Sequence, residues 1–357
     1  MYILILTILN IFFIQEKDIA DFNINTIYKT LSKSGIDKKF IKSIVLPDWW
    51  DDSIAETKAG FLQTIDIISN NLGINLAGLL SNSETINLKG SAIIKFKTAK
   101  NVEIPESSIW PRSLALRISE LIEEVLMIEF QSLPTNASDI REEIIGNYKM
   151  ISLETVLDYL WTHGIPVIYI SEFPTSMNKM DGMIIDLFNR PIIIVSKTRK
   201  HDAWLLFIIA HELGHFIKGH LNQSENIIYD TNIETEQDDE EKQANEFALE
   251  FLVGSTSPKF NIPNNFSSAF KLFNIVNKIG KELKLDPGII TLNFAYLTKN
   301  WALAGQTLNI IAPNADAVGK IKNRMKRHLN IEKTSEENAD FLQRITSIAG
   351  ENLEAIP

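Results

Sequence analysis

The chain has 357 residues, 45% hydrophobic and 22% charged, which excludes a wholly disordered or fibrous protein and leaves room for two or three folded units. Its 35 Lys and Arg against 45 Asp and Glu leave a net charge of −10, which argues against broad, non-specific binding to nucleic acid. With no cysteine there are no disulfides, thiolate metal sites or cysteine nucleophiles, so any metal must sit on Asp, Glu or one of only six histidines.

Met1 to Ile14 is an almost unbroken apolar run, stopped by Gln15-Glu16-Lys17-Asp18. The run is shorter than the roughly 20 residues that span a bilayer, no basic residue precedes it, and no small-residue cleavage site follows. A buried helix or strand is expected there, with no stable membrane insertion and a cytoplasmic location. Short helices follow: Phe22–Ser34, with Ile24, Ile27, Tyr28 and Leu31 at helical spacing, then Gly60–Asn70 after a Leu46-Pro47-Asp48-Trp49-Trp50-Asp51-Asp52 turn. The tryptophan pair reads as an anchor between helices. Ser91–Thr98 alternates as a strand does, and Ser113–Phe130 is a strongly amphipathic helix. Leu133-Pro134-Thr135-Asn136 breaks it, and the chain around 132–138 reads as a boundary.

The next unit opens with a helix over Ser152–Thr162 and a strand over Pro166–Ile170. Asp181–Asp186 and Pro191–Ser196 read as an antiparallel hairpin. The apolar run from Ala203 passes straight into His211-Glu212-Leu213-Gly214-His215, a helix apolar enough to be buried. Residues 222–241 hold eight acidic side chains and no basic one, as a solvated loop or lid would. A helix over Asp238–Val253 follows, and beyond Pro263 the chain is largely helical. The basic run Lys320, Lys322, Arg324, Lys326, Arg327, His328 scatters around its helix and reads as solvated surface; direct nucleic-acid binding is not favoured. No phosphate-binding glycine loop or serine-hydrolase elbow occurs.

His-Glu-x-x-His decides the chemistry. Helix positions four apart lie about 40° apart around the axis, so His211 and His215 point the same way and suit a tetrahedral zinc ion. Glu212 is turned toward the open coordination position, where it can take a proton from water as general base. As bystanders, both histidines would sit unpaired on a buried helix, which is costly. A third ligand is owed. His220 fits poorly, being about 140° further round a continuous helix. In the later helix, Glu240 and Glu241 flank the stripe of Ala244, Phe247, Ala248, Phe251 and Leu252 at similar angles, and periodicity does not choose between them.

Pro191-Ile-Ile-Ile-Val, Phe207-Ile-Ile-Ala-His-Glu-Leu-Gly-His215 and Glu241-x-x-Ala244-Asn245-x-Phe247-Ala248 together resemble the ImmA/IrrE family of zinc metallopeptidases. The resemblance covers about residues 150–256. It implies one zinc ion held by His211, His215 and Glu241, Glu212 as the catalytic base, and Asn245 steadying a ligand. Where that family often closes the glutamate helix with Met-Pro, this chain has Val253-Gly254. The resemblance also implies a protein substrate, typically a helix-turn-helix repressor in a stress response or mobile element. In such peptidases an edge strand pairs with the substrate backbone, a part that Ile192, Ile193 and Ile194 would supply. His201, Tyr229 or His220 are candidates to stabilise the transition state.

The expected architecture is a mainly helical α+β protein: a helical region over 1–135 suited to partner or DNA binding, a zincin-like core with a small antiparallel sheet over 150–260, and a helical region over 261–357. The competing reading is a non-proteolytic regulator that uses the zinc fold as scaffold or sensor.

Overall fold

The computed structural model describes residues 23–75, 109–174, 181–187, 189–221, 227–229, 239–263, 266 and 268–348. The apolar run 1–14, the strand expected over 91–98 and most of the acidic stretch 222–241 lie outside them. Among the described residues no helix is long and apolar enough to cross a membrane.

The fold is mainly helical α+β. Among the described residues the α-helices are α1 (Ile24–Lys33), α2 (Lys38–Phe40), α3 (Lys58–Leu72), α4 (Ile109–Val125), α5 (Ala137–Tyr148), α6 (Leu153–Thr162), α7 (Asp202–Ile217), α8 (Asp239–Val253), α9 (Ala269–Leu283), α10 (Pro287–Thr298), α11 (Trp301–Ile311), α12 (Ala317–His328) and α13 (Glu336–Thr346). Starts follow local chemistry. Asn23 accepts from the Thr26 amide, and Ser152 and Thr155 form a reciprocal capping box at α6. α5, capped by Asn136, begins inside the stretch that reads as a boundary.

The chain forms two compact units, 1–121 with 172–178 and 334–357, and 122–171 with 179–333. In the first, Trp50 is buried and its indole N–H donates to Thr64 Oγ1 at 2.8 Å, while Trp49 is exposed. Asn71 donates to the Val45 carbonyl at 2.8 Å, and Arg344 to that of Leu46.

The second unit holds a four-stranded sheet of β1 (Val167–Tyr169), β2 (Gly182–Leu187), β3 (Arg190–Val195) and β4 (Ile227–Tyr229), in the order β1-β3-β2-β4. β2 and β3 are the expected antiparallel hairpin, turning at Asn189 with a positive φ of 64°. The sheet is mixed, because β1 joins β3 in parallel with Val167 opposite Ile193. β3 is therefore interior, which explains its uninterrupted Ile192-Ile193-Ile194-Val195 run, buried throughout. α7 is buried from Ile208 to His215. In the basic helix α12, Lys320 pairs with Asp202 at 2.6 Å and Glu154 at 2.9 Å, and Arg324 grips Asp158 through two bonds at 2.9 and 3.1 Å. Those charges are spent inside the unit.

Candidate metal centre

α7 carries His211, Glu212 and His215, all buried. The two rings stand one helical turn apart, edge to face with centroids 4.8 Å apart, and their Nε2 atoms approach to 3.1 Å. Gly214 lies on the face toward α8: a Cβ there would stand 3.0 Å from the Ala244 carbonyl oxygen and 3.0 Å from the Phe247 ring. The missing side chain lets α8 cross closely, with Ala244, Phe247 and Ala248 buried in the contact.

That crossing delivers Glu241. Its Oε2 is 3.2 Å from His211 Nε2 and its Oε1 is 3.5 Å from His215 Nε2. Of the two glutamates that periodicity leaves level, Glu241 is the one in the group His211, His215, Glu241, whose donor atoms all lie within 4.8 Å of one another. Ligands 2.0–2.1 Å from a tetrahedral zinc ion stand roughly 3.3 Å apart, so separations of this size fit one small cation. The donors, two imidazole nitrogens and a carboxylate, suit zinc chemically. Burial pushes the Glu241 carboxyl up, but the two histidines beside it favour its charged form more strongly and hold it down at about 2.

The far side of each imidazole is also engaged. His211 Nδ1 lies 3.0 Å from Asn245 Oδ1. His215 Nδ1 lies 3.0 Å from His220 Nδ1, and His220 Nε2 lies 3.3 Å from Gln243 Oε1. His220 gets there because α7 does not continue. Gly219 takes φ +73°, its amide donates to the Phe216 carbonyl at 3.0 Å, and the His220 amide donates to the His215 carbonyl at 3.0 Å. This helix-ending turn folds His220 back beneath His215. Burial lowers the His220 pKa.

Gly182, at the start of β2, faces Glu212. A Cβ on it would stand 2.6 Å from Glu212 Oε1 and 2.6 Å from Ile208 Cγ2. Sequence reasoning misses this contact, and its one available signal is a glycine opening an otherwise apolar strand.

Other expectations fall elsewhere. His201 stands just before the opposite end of α7, ten residues and about 15 Å from His211 along the axis, with Nε2 3.0 Å from Asn309 Oδ1. It takes no part in this group. Tyr229 lies on β4 opposite Met183, and its side chain is outside the described residues. Ile192, Ile193 and Ile194 cannot pair with a substrate strand, since β3 is bonded to β1 on one side and β2 on the other.

Residues 161–258 match the family model of the IrrE N-terminal-like domain, Peptidase_M78. No curated protein and no solved structure matches the chain. The matched span contains the whole sheet, α7 and α8. Over this span the chain carries an IrrE N-terminal-like, peptidase-type domain, with its His-Glu-x-x-His helix and the later glutamate helix crossing it, as the resemblance to the ImmA/IrrE family implies.

Proposed function

We propose that the protein is a zinc-dependent endopeptidase that cuts a specific protein partner, a helix-turn-helix repressor by analogy with its family. The observation that carries the reading is the convergence of His211, His215 and Glu241 beside the buried Glu212. His211 Nε2, His215 Nε2 and one Glu241 oxygen would hold the ion, and a zinc ion bound there would supply Lewis acidity and lower the pKa of a water.

Glu212 is the general base. Its carboxylate takes the proton of the attacking water and gives it to the leaving amine nitrogen, so one group serves both half-steps. Burial keeps bulk water from competing for that proton. Asn245 holds the His211 ring in the orientation that aims Nε2 at the site. Substrate pairing is assigned instead to β4, which is bonded to β2 on one side and is an edge of the sheet among the described residues. β2 carries Gly182 against Glu212, so a strand added beyond β4 continues the sheet that flanks the base.

The test is incubation of the zinc-loaded protein with the repressor encoded nearest to it, read by gel and mass spectrometry. A discrete cut that vanishes with chelator and in Glu212→Gln is expected. Cleavage unchanged in Glu212→Gln defeats the proposal. A biological effect retained in that variant, with no cleavage by the wild type, favours the regulator reading.

A further inference from the structure

His220, a candidate transition-state stabiliser by sequence, lies instead on the Nδ1 side of His215, buried and bonded at both ring nitrogens. We infer that His220, backed by Gln243, is a positioning residue that fixes the tautomer and ring angle of His215; this rests on His215 being a metal ligand.

The argument follows the protons. If His215 presents the lone pair of Nε2 to a cation, its proton resides on Nδ1, and that N–H needs an acceptor on the far side of the ring. The atom 3.0 Å away is His220 Nδ1, which accepts only when its own ring carries the proton on Nε2. His220 Nε2 then donates, and Gln243 Oε1 stands 3.3 Å from it. Each bond dictates the next: Gln243 sets His220, and His220 sets His215. His211 is held differently, by one direct bond to the Asn245 amide oxygen. The two rings thus have separate supports, a carboxamide for one and an imidazole backed by a carboxamide for the other, and both carboxamides come from α8.

The backbone builds the same contact. The turn at Gly219 returns His220 to the His215 carbonyl through its amide at 3.0 Å, so main chain and ring both tie position 220 to position 215. The rings meet at 67° with centroids 5.1 Å apart, an edge approach that brings nitrogen to nitrogen instead of stacking the faces.

Supports of this kind are worth about ten- to a hundred-fold in metal affinity. The experiment compares full-length wild type, His220→Leu, His220→Asn and His211→Ala for zinc affinity, by competition with a chromogenic chelator. The melting temperature of each is also taken in excess chelator. Asn places Oδ1 where the histidine has Nδ1 and so keeps an acceptor for His215. Expected for His220→Leu is zinc binding about ten- to a hundred-fold weaker, while its chelated form melts as the chelated wild type does. His220→Asn recovers most of the affinity. Leu binding zinc as tightly as wild type, or Asn doing no better than Leu, overturns the inference. A drop in melting temperature of the chelated Leu variant with zinc affinity unchanged leaves His220 a packing residue and overturns it equally. Failure of the wild type to bind zinc, or His211→Ala binding as tightly as wild type, instead brings down the ligand assignment beneath it, so the two failures are told apart.

Discussion

Gly182 and Glu212 are in direct contact across the sheet–helix interface: a methyl group on Gly182 would stand 2.6 Å from Glu212 Oε1. Gly182→Ala therefore forces either the carboxylate or β2 to move. Displacing a reacting group by about 1 Å costs on the order of a hundred-fold in rate, and overpacking costs about 1–3 kcal/mol in stability. Hydrolysis should fall about a hundred-fold while zinc content, measured by mass spectrometry of the intact protein, stays at the wild-type level.

Glu212→Gln preserves shape and hydrogen-bonding reach but removes the base. Zinc binding and melting temperature should hold, and turnover of the cleaved partner should fall by about 10²–10⁴. Steady-state cleavage with parallel metal analysis checks it. Loss of zinc together with activity would mean that Glu212 acts on the ion and not on the water.

Gly214→Val tests the crossing of α7 and α8. The added atoms meet the Ala244 backbone and the Phe247 ring, which stand 3.0 Å from the position of a Cβ. Pushing α8 away withdraws Glu241 from the two histidines. Zinc affinity, read by competition titration, should drop at least ten-fold although no ligand is altered. The protein should also lose about 1–3 kcal/mol of stability.

Asp286 caps α10, accepting the Gly288 amide at 2.7 Å, and burial raises its carboxyl from the usual 3.8 to about 6. The Gly288 amide and Lys320 act against that rise, and Asp202 adds to it. Because the folded state favours the protonated form, this group's contribution is fully present below about pH 4 and lost as pH rises through 6. A gap of that size is worth about 3 kcal/mol. Asp286→Asn keeps an acceptor for the Gly288 amide and has no charge to bury. Relative to wild type it should gain stability progressively between pH 4 and pH 7, up to about 3 kcal/mol, in urea titrations at fixed temperature.

Zinc should stabilise the protein by mass action, by about 2.7 kcal/mol at a hundred-fold excess over its dissociation constant. Calorimetry with and without chelator measures this, and Glu241→Ala should erase most of the difference.

How much of this was legible beforehand depends on how local each feature is. His211 and His215 could be paired from spacing alone because one helix fixes both. The choice between Glu240 and Glu241 depends on how α8 crosses α7, and periodicity carries no such information; only the resemblance pointed to Glu241. Spacing argues against His220 only where the helix continues past His215. The chain stops helical geometry at Ile217 and reverses at Gly219, so the angle that excluded it did not apply. A stop at Lys218-Gly219 could have been suspected from the glycine. The hairpin of β2 and β3 was readable from alternation and a short turn. The placement of β1 beside β3 was not, since parallel pairing joins segments that no turn connects. That one pairing puts Ile192–Ile194 inside the sheet and leaves β1 and β4 as its edges among the described residues.

α8 contributes Glu241, Gln243 and Asn245, so everything the cluster needs beyond α7 and the turn that ends it arrives on one helix. Assembly is consequently all or nothing. A nascent or partly opened chain in which the two helices have not met has a pair of adjacent imidazoles and little grip on a cation. The three-ligand group therefore exists only where the two helices are packed together.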